Sequence, residues 1–451
     1  MNKIYDVIIA GAGSSGAVAA ISAARNGASV LLIDKNGYPG GMNTAGMVCP
    51  IMTFHAGDRQ IIKGIPQEII DVLIERGASL GHVPDPIGVV SSITPIEPEI
   101  LKLVYFEMLA KLPNITVLFH TFICDTVVEN GVVKSIQVVS KSGLASYQGK
   151  TFIDATGDGD VASFCKADFH MGRSSDGFSQ PMTLMFQVGG VDIKKVIAYV
   201  KSNPEQFILN KDCDIDKYLA VSGFFDIVNT ARINGDLTIP RDRVLFFQGM
   251  HPGTIVVNMT RITKLRGTNA KELTTAEFNS HNQISEIMLF FRKYLPGFAN
   301  CHLLSAADTI GVRESRRICG DYTLTIDDVV NGVCFEDSIA MCAFPIDIHD
   351  PIGNDLNWVR KSRTCCYDIP YRVMMPKKLK NLLVTGRCIS ATHEAMASSR
   401  ISATAMAIGQ AAGLAAALES RDICDFRQTD VKVLQDKLIK QGAVVGKAWL
   451  D

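Results

Sequence analysis

The fold is decided by the stretch YDVIIAGAGSSGAVAAISAARNGASVLLID, residues 5–34. Its first six residues form an apolar, β-branched run that predicts a strand, and the next six have the spacing G-x-G-x-x-G. The alanine-rich segment 17–26 predicts a helix, Gly27 ends it, and 29–33 predicts a second strand. Together they predict a complete strand–helix–strand unit of the kind that binds a dinucleotide.

The glycines of this unit have separate roles beside a diphosphate. Gly11 permits the tight turn, Gly13 lets the backbone approach the phosphates, and Gly16 lets the helix pack closely on the strand. The helix N-terminus offers amide groups and a partial positive charge. Asp34 ends the second strand, where it can accept hydrogen bonds from ribose hydroxyls and would repel the 2′-phosphate of NADP. This unit alone is compatible with either FAD or NAD.

Two later segments also place a glycine turn directly after a strand. The strand predicted at 151–153 leads into DATGDGD, residues 154–160, and the strand in NLLVTGR, residues 381–387, leads into a glycine and an arginine. The glycine-rich loop 37–46 follows the first unit and could run beside a bound cofactor. The three distant turns predict convergence on one large, extended ligand.

Composition excludes several other classes of protein. The chain has 451 residues, 47% of them hydrophobic, with 45 Lys and Arg against 46 Asp and Glu. This charge balance, without long runs of one sign, argues against a nucleic-acid partner. The first residues do not resemble a secretory signal, and the apolar stretch 401–418 is rich in Ala and Gly, so we expect a cytoplasmic protein with no membrane partner. Twelve scattered cysteines predict reduced thiols.

Further motifs carry a resemblance to a known family. They are DATGDGDVA (154–162), QPMTLMFQVGGVD (180–192), IGVRESRRICGDYTLT (310–325), DIPYR (368–372) and NLLVTGRCISATHEAMAS (381–398). With these motifs the chain resembles the FAD-dependent oxidoreductases of the glutathione-reductase fold, and within them the group related to the flavin subunit of heterodisulfide reductase. Unlike that subunit, it has no cysteine cluster for iron–sulfur centres.

The resemblance implies an α/β fold with a discontinuous domain division. A Rossmann-like FAD-binding domain of the glutathione-reductase type would carry an inserted substrate or cap domain of mixed α and β structure. The implied parts are 1–48, 100–165 and 380–420 for the FAD-binding domain, 49–99 for a loop and helix insertion, 166–379 for the substrate or cap domain, and 421–451 for a helical tail.

The resemblance also implies which residues hold non-covalent FAD. The diphosphate would lie on the first turn and the adenosine ribose on the acid that ends the second strand. Amides at 400–403 would face the edge of the flavin where negative charge grows on reduction. The expected cofactor-binding residues are Gly11, Ala12, Gly13, Ser14, Ser15, Gly16, Asp34, Lys35, Gly40, Gly41, Met42, Asn43, Ala155, Thr156, Gly157, Gly386, Arg387, Ile401 and Ala403.

Chemistry beside a flavin needs a cation to hold charge and an acid or base to move a proton. Arg313, the first residue of RESRR (313–317), could clamp a carboxylate, or the cluster could be an ion-pair network that holds the cap. His349 and His393 could transfer a proton, or be structural histidines. Arg400 could face the substrate or anchor the last long helix.

The sequence therefore predicts an FAD-dependent oxidoreductase that transfers a hydride between the flavin and a small organic substrate. One alternative is a flavin-bearing electron-transfer subunit that acts with a separate iron–sulfur partner. Another is an NAD-binding protein without flavin. No metal site is predicted, because Asp347 and His349 alone are too few ligands.

Overall fold

The structure of the protein is a computed structural model that describes residues 3–350, 356–359, 365–420 and 425–449, with only the backbone for 356–359 and Trp449. Its α-helices are α1 (Ser14–Arg25), α2 (Ile65–Glu75), α3 (Pro98–Ala110), α4 (Asp160–Phe164), α5 (Ile193–Ser202), α6 (Phe225–Ile233), α7 (Ala270–Tyr294), α8 (Ile326–Asn331), α9 (His393–Ser399), α10 (Ser402–Glu419) and α11 (Val431–Lys440).

The β-strands of the described residues lie before or between these helices, singly or in groups. They are β1 (Ile4–Ala10), β2 (Val30–Ile33), β3 (Ile51–Met52), β4 (His55–Ala56), β5 (Arg59–Gln60), β6 (Val83–Pro84), β7 (Ser92–Thr94), β8 (Ile115–Leu118), β9 (Phe122–Glu129), β10 (Val132–Ser140), β11 (Gly143–Asp154), β12 (Phe169–His170), β13 (Phe186–Gly189), β14 (Ala220–Gly223), β15 (Val244–Gln248), β16 (Ile255–Val257), β17 (His302–Ala306), β18 (Arg317–Ile318), β19 (Ser338–Cys342), β20 (Ile346–His349), β21 (Leu356–Val359), β22 (Tyr367–Pro370) and β23 (Leu382–Val384).

The main sheet has seven strands in the order β8-β2-β1-β11-β10-β9, with β23 also on β11. Strands β8, β2, β1, β11 and β23 run parallel, whereas β9, β10 and β11 form an antiparallel meander. Strand β11 changes partner along its length, because 143–148 pair with β10 and 152–154 pair with β23. The carboxyl ends of the parallel strands β1, β11 and β23 therefore lie at one edge, which brings the three glycine turns together.

Helix α1 packs tightly between the sheet and α10. Small residues allow this approach, since a Cβ added to Gly409 would lie 2.2 Å from the carbonyl oxygen of Ser15. A Cβ on Gly413 would lie equally close, at 2.2 Å, to the oxygen of Ala19. Helix α1 begins at Ser14, three residues earlier than the sequence predicts, because the serines and glycine after Gly13 wind into its first turn.

A second sheet shares part of its apolar surface with the core of the first. It has five antiparallel strands in the order β14-β15-β16-β13-β17. Apolar residues of this sheet and of α7 form a separate hydrophobic core. Helix α7 begins at Ala270, where the side chain of Asn269 accepts hydrogen bonds from the amides of Lys271 and Glu272.

The remaining segments follow the predicted outline with small shifts. Helix α2 is the helix of the loop and helix insertion expected at 49–99, and β16 lies within the segment 166–379. Helices α2 and α10 share one hydrophobic core, so the segment 49–99 packs directly on the main sheet's helices. The strands of the main sheet come from the three segments assigned to the FAD-binding domain. The domain division itself remains a prediction.

No single helix among the described residues is both long and apolar enough to cross a bilayer, and α9 and α10 meet that requirement only as a pair bent by 90°.

Candidate active site

The first glycine turn is built against the second. Gly11 has φ +94°, a conformation that favours glycine, and a Cβ there would lie 2.4 Å from the oxygen of Ala155. The amide of Ala155 in turn donates to the oxygen of Ala10 at 2.8 Å. The turns after β1 and β11 are therefore in direct contact, as one extended ligand would require.

The third turn joins the same assembly through side chains. The hydroxyl oxygens of Ser15 and Thr385 lie 2.6 Å apart. Beyond it, Nη2 of Arg387 donates to Asp158 at 2.8 Å. The Nη1 of Arg387 is buried and, among the described residues, has no hydrogen-bond partner. A buried guanidinium with one unused nitrogen beside the turns fits the diphosphate of a bound cofactor.

Asp34 lies at the end of β2 in the position expected for a ribose ligand. Its carboxylate accepts hydrogen bonds from the amides of Ala12, at 2.5 Å, and Asn36, at 2.7 Å. Burial raises the pKa of this carboxyl, and the two amide bonds oppose that effect. These bonds fix the orientation of the carboxylate and leave acceptor capacity for hydroxyl groups.

The loop after β2 folds back onto the first turn. The amide of Gly40 donates to the oxygen of Ala12 at 2.8 Å, and the hydroxyl of Ser14 donates to Asn43 at 2.7 Å. Gly41 lies so close to Gly13 that a Cβ on Gly41 would be 2.7 Å from the Cα of Gly13. The backbones of the two turns thus form a narrow cradle without side chains, which suits a phosphate group.

One cavity of about 400 Å³ lies between the main sheet's turns and the second sheet. Among the residues predicted from the sequence it is lined by Gly11, Gly13, Ser14, Ser15, Asp34, Lys35, Gly41, Met42, Ala155, Thr156, Gly157, Arg313, His349, Gly386, Arg387, Arg400 and Ile401. The predicted residues that do not line it are Ala12, Gly16, Gly40, Asn43, Ala403 and His393. Four of these residues, Ala12, Gly16, Gly40 and Asn43, belong to the first glycine turn or contact it.

His393 belongs to a buried ion-pair network. Its Nδ1 lies 2.9 Å from Oε1 of Glu314, and the same carboxylate pairs with Arg317 and accepts the amide of Gln180. Glu314 and His393 are both buried. Glu314 and Arg317 of the RESRR cluster thus form a buried network with His393, which is not among the residues that line the cavity.

Arg313 points away from that network and lines the cavity. Its Nη1 donates to the oxygen of Pro181 and to the hydroxyl of Thr183, both at 2.6 Å. Burial lowers the pKa of Arg313 well below its ordinary value, and the charges of Arg400 and Arg241 act in the same direction. This arginine is thus held among like charges on the wall of the cavity.

Asp347 and His349, two residues apart in β20, form a buried pair. The Nε2 of His349 lies 3.1 Å from Oδ2 of Asp347, and Arg400 reaches the same oxygen at 3.5 Å. Burial lowers the pKa of His349 to about 3, and the charge of Arg313 adds to this effect. Burial alone would raise the pKa of Asp347, but the contact with His349 and the charge of Arg400 outweigh it and hold that pKa below its ordinary range.

This pair can move a proton. A neutral His349 that donates from Nε2 to the Asp347 carboxylate keeps Nδ1 as the unprotonated nitrogen. That Nδ1 is buried without a hydrogen-bond partner among the described residues, and the residue lines the cavity. The arrangement is that of a base whose ring is oriented by a carboxylate.

Sequence reasoning missed several polar residues of the cavity, among them Arg241 and Asn258. Arg241 is 6% exposed, and Asn258 follows the short strand β16. A signal was available for the arginine, because RDR at 241–243 is a charged group directly before the apolar strand β15. A charged residue next to a buried strand indicates either a surface loop or a ligand-binding site, and the sequence does not distinguish between them.

Comparison with known proteins places this site in a family. Residues 6–438 match the model of the family described as FAD dependent oxidoreductase. The chain belongs to this family: it is an FAD-dependent oxidoreductase, and its cofactor is FAD. No curated protein matches the sequence.

Several solved structures are similar to this chain at low sequence identity. A geranylgeranyl bacteriochlorophyll reductase-like protein from Thermoplasma acidophilum is 14% identical, covers 98% of this chain and 85% of its own, and has a TM-score of 0.47. p-Nitrophenol 4-monooxygenase from Pseudomonas putida DLL-E4 is 12% identical, with 100% and 84% covered and a TM-score of 0.45. L-proline dehydrogenase from P. horikoshii is 9% identical, with 98% and 100% covered and a TM-score of 0.45.

Proposed function

We propose that this enzyme transfers a hydride between FAD and a small organic substrate bound in the cavity. When bound, FAD supplies the acceptor or donor of the hydride. The backbone cradle of Gly13 and Gly41 would hold the diphosphate, Asp34 the adenosine ribose, and Arg387 the phosphate or the adjoining chain. The finer expectation of a glutathione-reductase type of fold, related to the flavin subunit of heterodisulfide reductase, is part of this proposal.

The main support for the proposal is that two different groups of residues line opposite parts of one cavity. One wall consists of the glycine turns after β1, β11 and β23, and the other contains Arg313, His349 and Arg400. The second wall comes largely from residues outside the sheet that carries the turns. A substrate between them would meet the cofactor on one side and cationic and proton-accepting side chains on the other.

The chain's own contribution would be positioning and proton transfer. His349 would take a proton from a heteroatom of the substrate at Nδ1 as the hydride leaves carbon, and return it in the reverse direction. Asp347 would stabilise the imidazolium formed in this way, as its carboxylate already accepts from Nε2. Arg400 pairs with Asp347 and would keep that carboxylate ionised. Nothing in the described residues favours the alternative of an electron-transfer subunit.

The proposal is tested on the purified holoprotein. The flavin is reduced anaerobically, and candidate substrates in oxidised form are screened for reoxidation of the flavin in the absence of oxygen. We expect reoxidation by at least one small organic compound, and His349→Asn should slow it by about 100-fold or more. The matched control, His281→Asn on the exposed face of α7, should react at the normal rate. A flavin that only a protein electron carrier reoxidises would contradict the proposal.

A further inference from the structure

We propose that the substrate carries a carboxylate group and that Arg241 binds it, with Arg313 beside it. This inference rests on the proposed function and adds the chemical class of the substrate. It assigns Arg241, which the sequence did not single out, to substrate recognition in the cavity.

Arg241 has an unused hydrogen-bonding edge. The residue is 6% exposed, lines the cavity, and has Nε and Nη2 buried without a partner among the described residues. A buried guanidinium ordinarily has hydrogen-bond partners, because leaving it unpaired costs free energy. A ligand that enters the cavity would supply the partner that the described residues do not.

The chain itself shows which group fits this edge. Two residues along, Nε and Nη2 of Arg243 donate to both oxygens of Asp242 at 2.8 and 2.6 Å. The same two nitrogens of Arg173 donate to both oxygens of Asp176 at 2.9 and 2.6 Å. In Arg241 this edge is free, and its geometry matches the two oxygens of a planar carboxylate.

The charges around Arg241 also favour an anion. Burial lowers the pKa of Arg241 to about 10. The charges of Arg261 and Arg243 act in the same direction, while Asp347 and Asp242 oppose them. The charges of Arg400, Arg241 and Arg261 also lower the pKa of Arg313. The carboxylate of Asp347 opposes this effect. Asp347 already pairs with His349 and Arg400. An incoming carboxylate would therefore offset a surplus of positive charge.

Two neighbours would orient the bound molecule. Within the described residues, the Arg313 guanidinium donates two hydrogen bonds, both from Nη1. Its other nitrogens are therefore available to a ligand. Asn258 lines the cavity with a buried Oδ1 that has no partner there, which suits a hydroxyl or amino group of the same molecule. Because Arg241, Arg313 and His349 line the same cavity, a carboxylate held by the arginines would place the substrate near the proposed base.

The test uses the FAD-loaded protein and defined probes. Acetate, succinate and benzoate are titrated against the visible spectrum of the flavin and against thermal stability, each beside its uncharged amide, with inorganic phosphate as a further arm. At least one carboxylate should bind about tenfold or more tightly than its amide. The variant Arg241→Gln should weaken that binding by about 10- to 100-fold. Arg313→Lys should weaken it less, and Arg76→Gln, in an exposed ion pair on α2, should not change it.

The outcomes separate this inference from the proposed function. Equal binding of carboxylates and amides, tighter binding of phosphate than of every carboxylate, or unchanged binding in folded Arg241→Gln would each overturn the inference. Should that variant not fold, the ratio of carboxylate to amide binding in the natural protein and its decrease in Arg313→Lys decide the question. Anaerobic reoxidation by an uncharged compound, without any carboxylate preference, would retain the proposed function and overturn the inference alone.

Discussion

The hydroxyl oxygens of Ser15 and Thr385 lie 2.6 Å apart although 370 residues separate them in the chain. Ser15 is in the first turn of α1, and Thr385 follows β23 directly. This contact joins the first glycine turn to the last one. The cofactor site is thus formed from both ends of the sequence, and its integrity depends on tertiary packing as much as on the local motif.

Two glycines of the first turn should respond differently to the same change. Gly13 has φ −67°, and a Cβ there would meet only the Cα of Gly41, at an ordinary 3.8 Å. Gly13→Ala should therefore fold normally and lose FAD, because the methyl group would occupy the cradle. Gly11→Ala should lose stability as well, since it combines φ +94° with a Cβ 2.4 Å from Ala155.

The measurements are the ratio of flavin to protein after purification and the thermal stability of the apoprotein. A Gly13→Ala protein with a full complement of FAD would show that the diphosphate does not lie in the cradle.

The network around Glu314 should be a matter of stability and not of catalysis. Glu314→Gln would leave the buried Arg317 without its carboxylate, which should cost about 3–5 kcal/mol of unfolding free energy. Glu68→Gln, in the exposed pair with Arg25, should cost about 0–1 kcal/mol. Thermal unfolding checks both values.

We also expect the variant His393→Asn to keep its turnover per bound flavin. A large fall in the turnover of the folded variant would show that His393 takes part in catalysis.

Removal of the unpaired guanidinium should stabilise the substrate-free enzyme. Arg241→Met would eliminate a buried charge without a hydrogen-bond partner for two of its nitrogens, a gain on the order of 1–3 kcal/mol. Arg243→Met should have the opposite sign, because it breaks the pair with Asp242. Melting temperatures of FAD-loaded protein without added carboxylate measure the two effects. A loss of stability in both variants would indicate that Arg241 has a structural role.

His349 should make the protein less stable in acid. Its pKa is about 3 in the folded chain and 6.5 ordinarily, so between these values the unfolded chain binds more protons. The contribution of His349 is fully present above pH 6.5 and is lost as pH falls toward 3, by up to about 1.4 kcal/mol per pH unit. The variant His349→Asn should therefore lose less stability than the natural protein between pH 6.5 and 4. Parallel pH profiles of melting temperature would contradict this expectation.

Much of the sheet was predictable because its signals are local. The strand–helix–strand unit and the three glycine turns each depend on neighbouring residues, and the edge at which they meet follows from parallel pairing. The start of α1 was misplaced by three residues, since serine and glycine are weak helix formers and only the tertiary contact with α10 holds them in a helix.

The site was less predictable because its polar groups come from unrelated segments. Arg313 and His349 were named from their surroundings in sequence, and both line the cavity. His393 was named in the same way, yet its contact with Glu314 spans 79 residues and no local pattern reveals it. Arg241 was missed because its distinguishing feature is an unpaired buried edge, which exists only after the chain has folded.

The change of partner along β11 also bears on the order of assembly. The last residues of β11 remain unpaired on one side until residues 382–384 have been made, so the growing chain presents an open sheet edge until then. Cofactor capture is consequently a late event in biosynthesis.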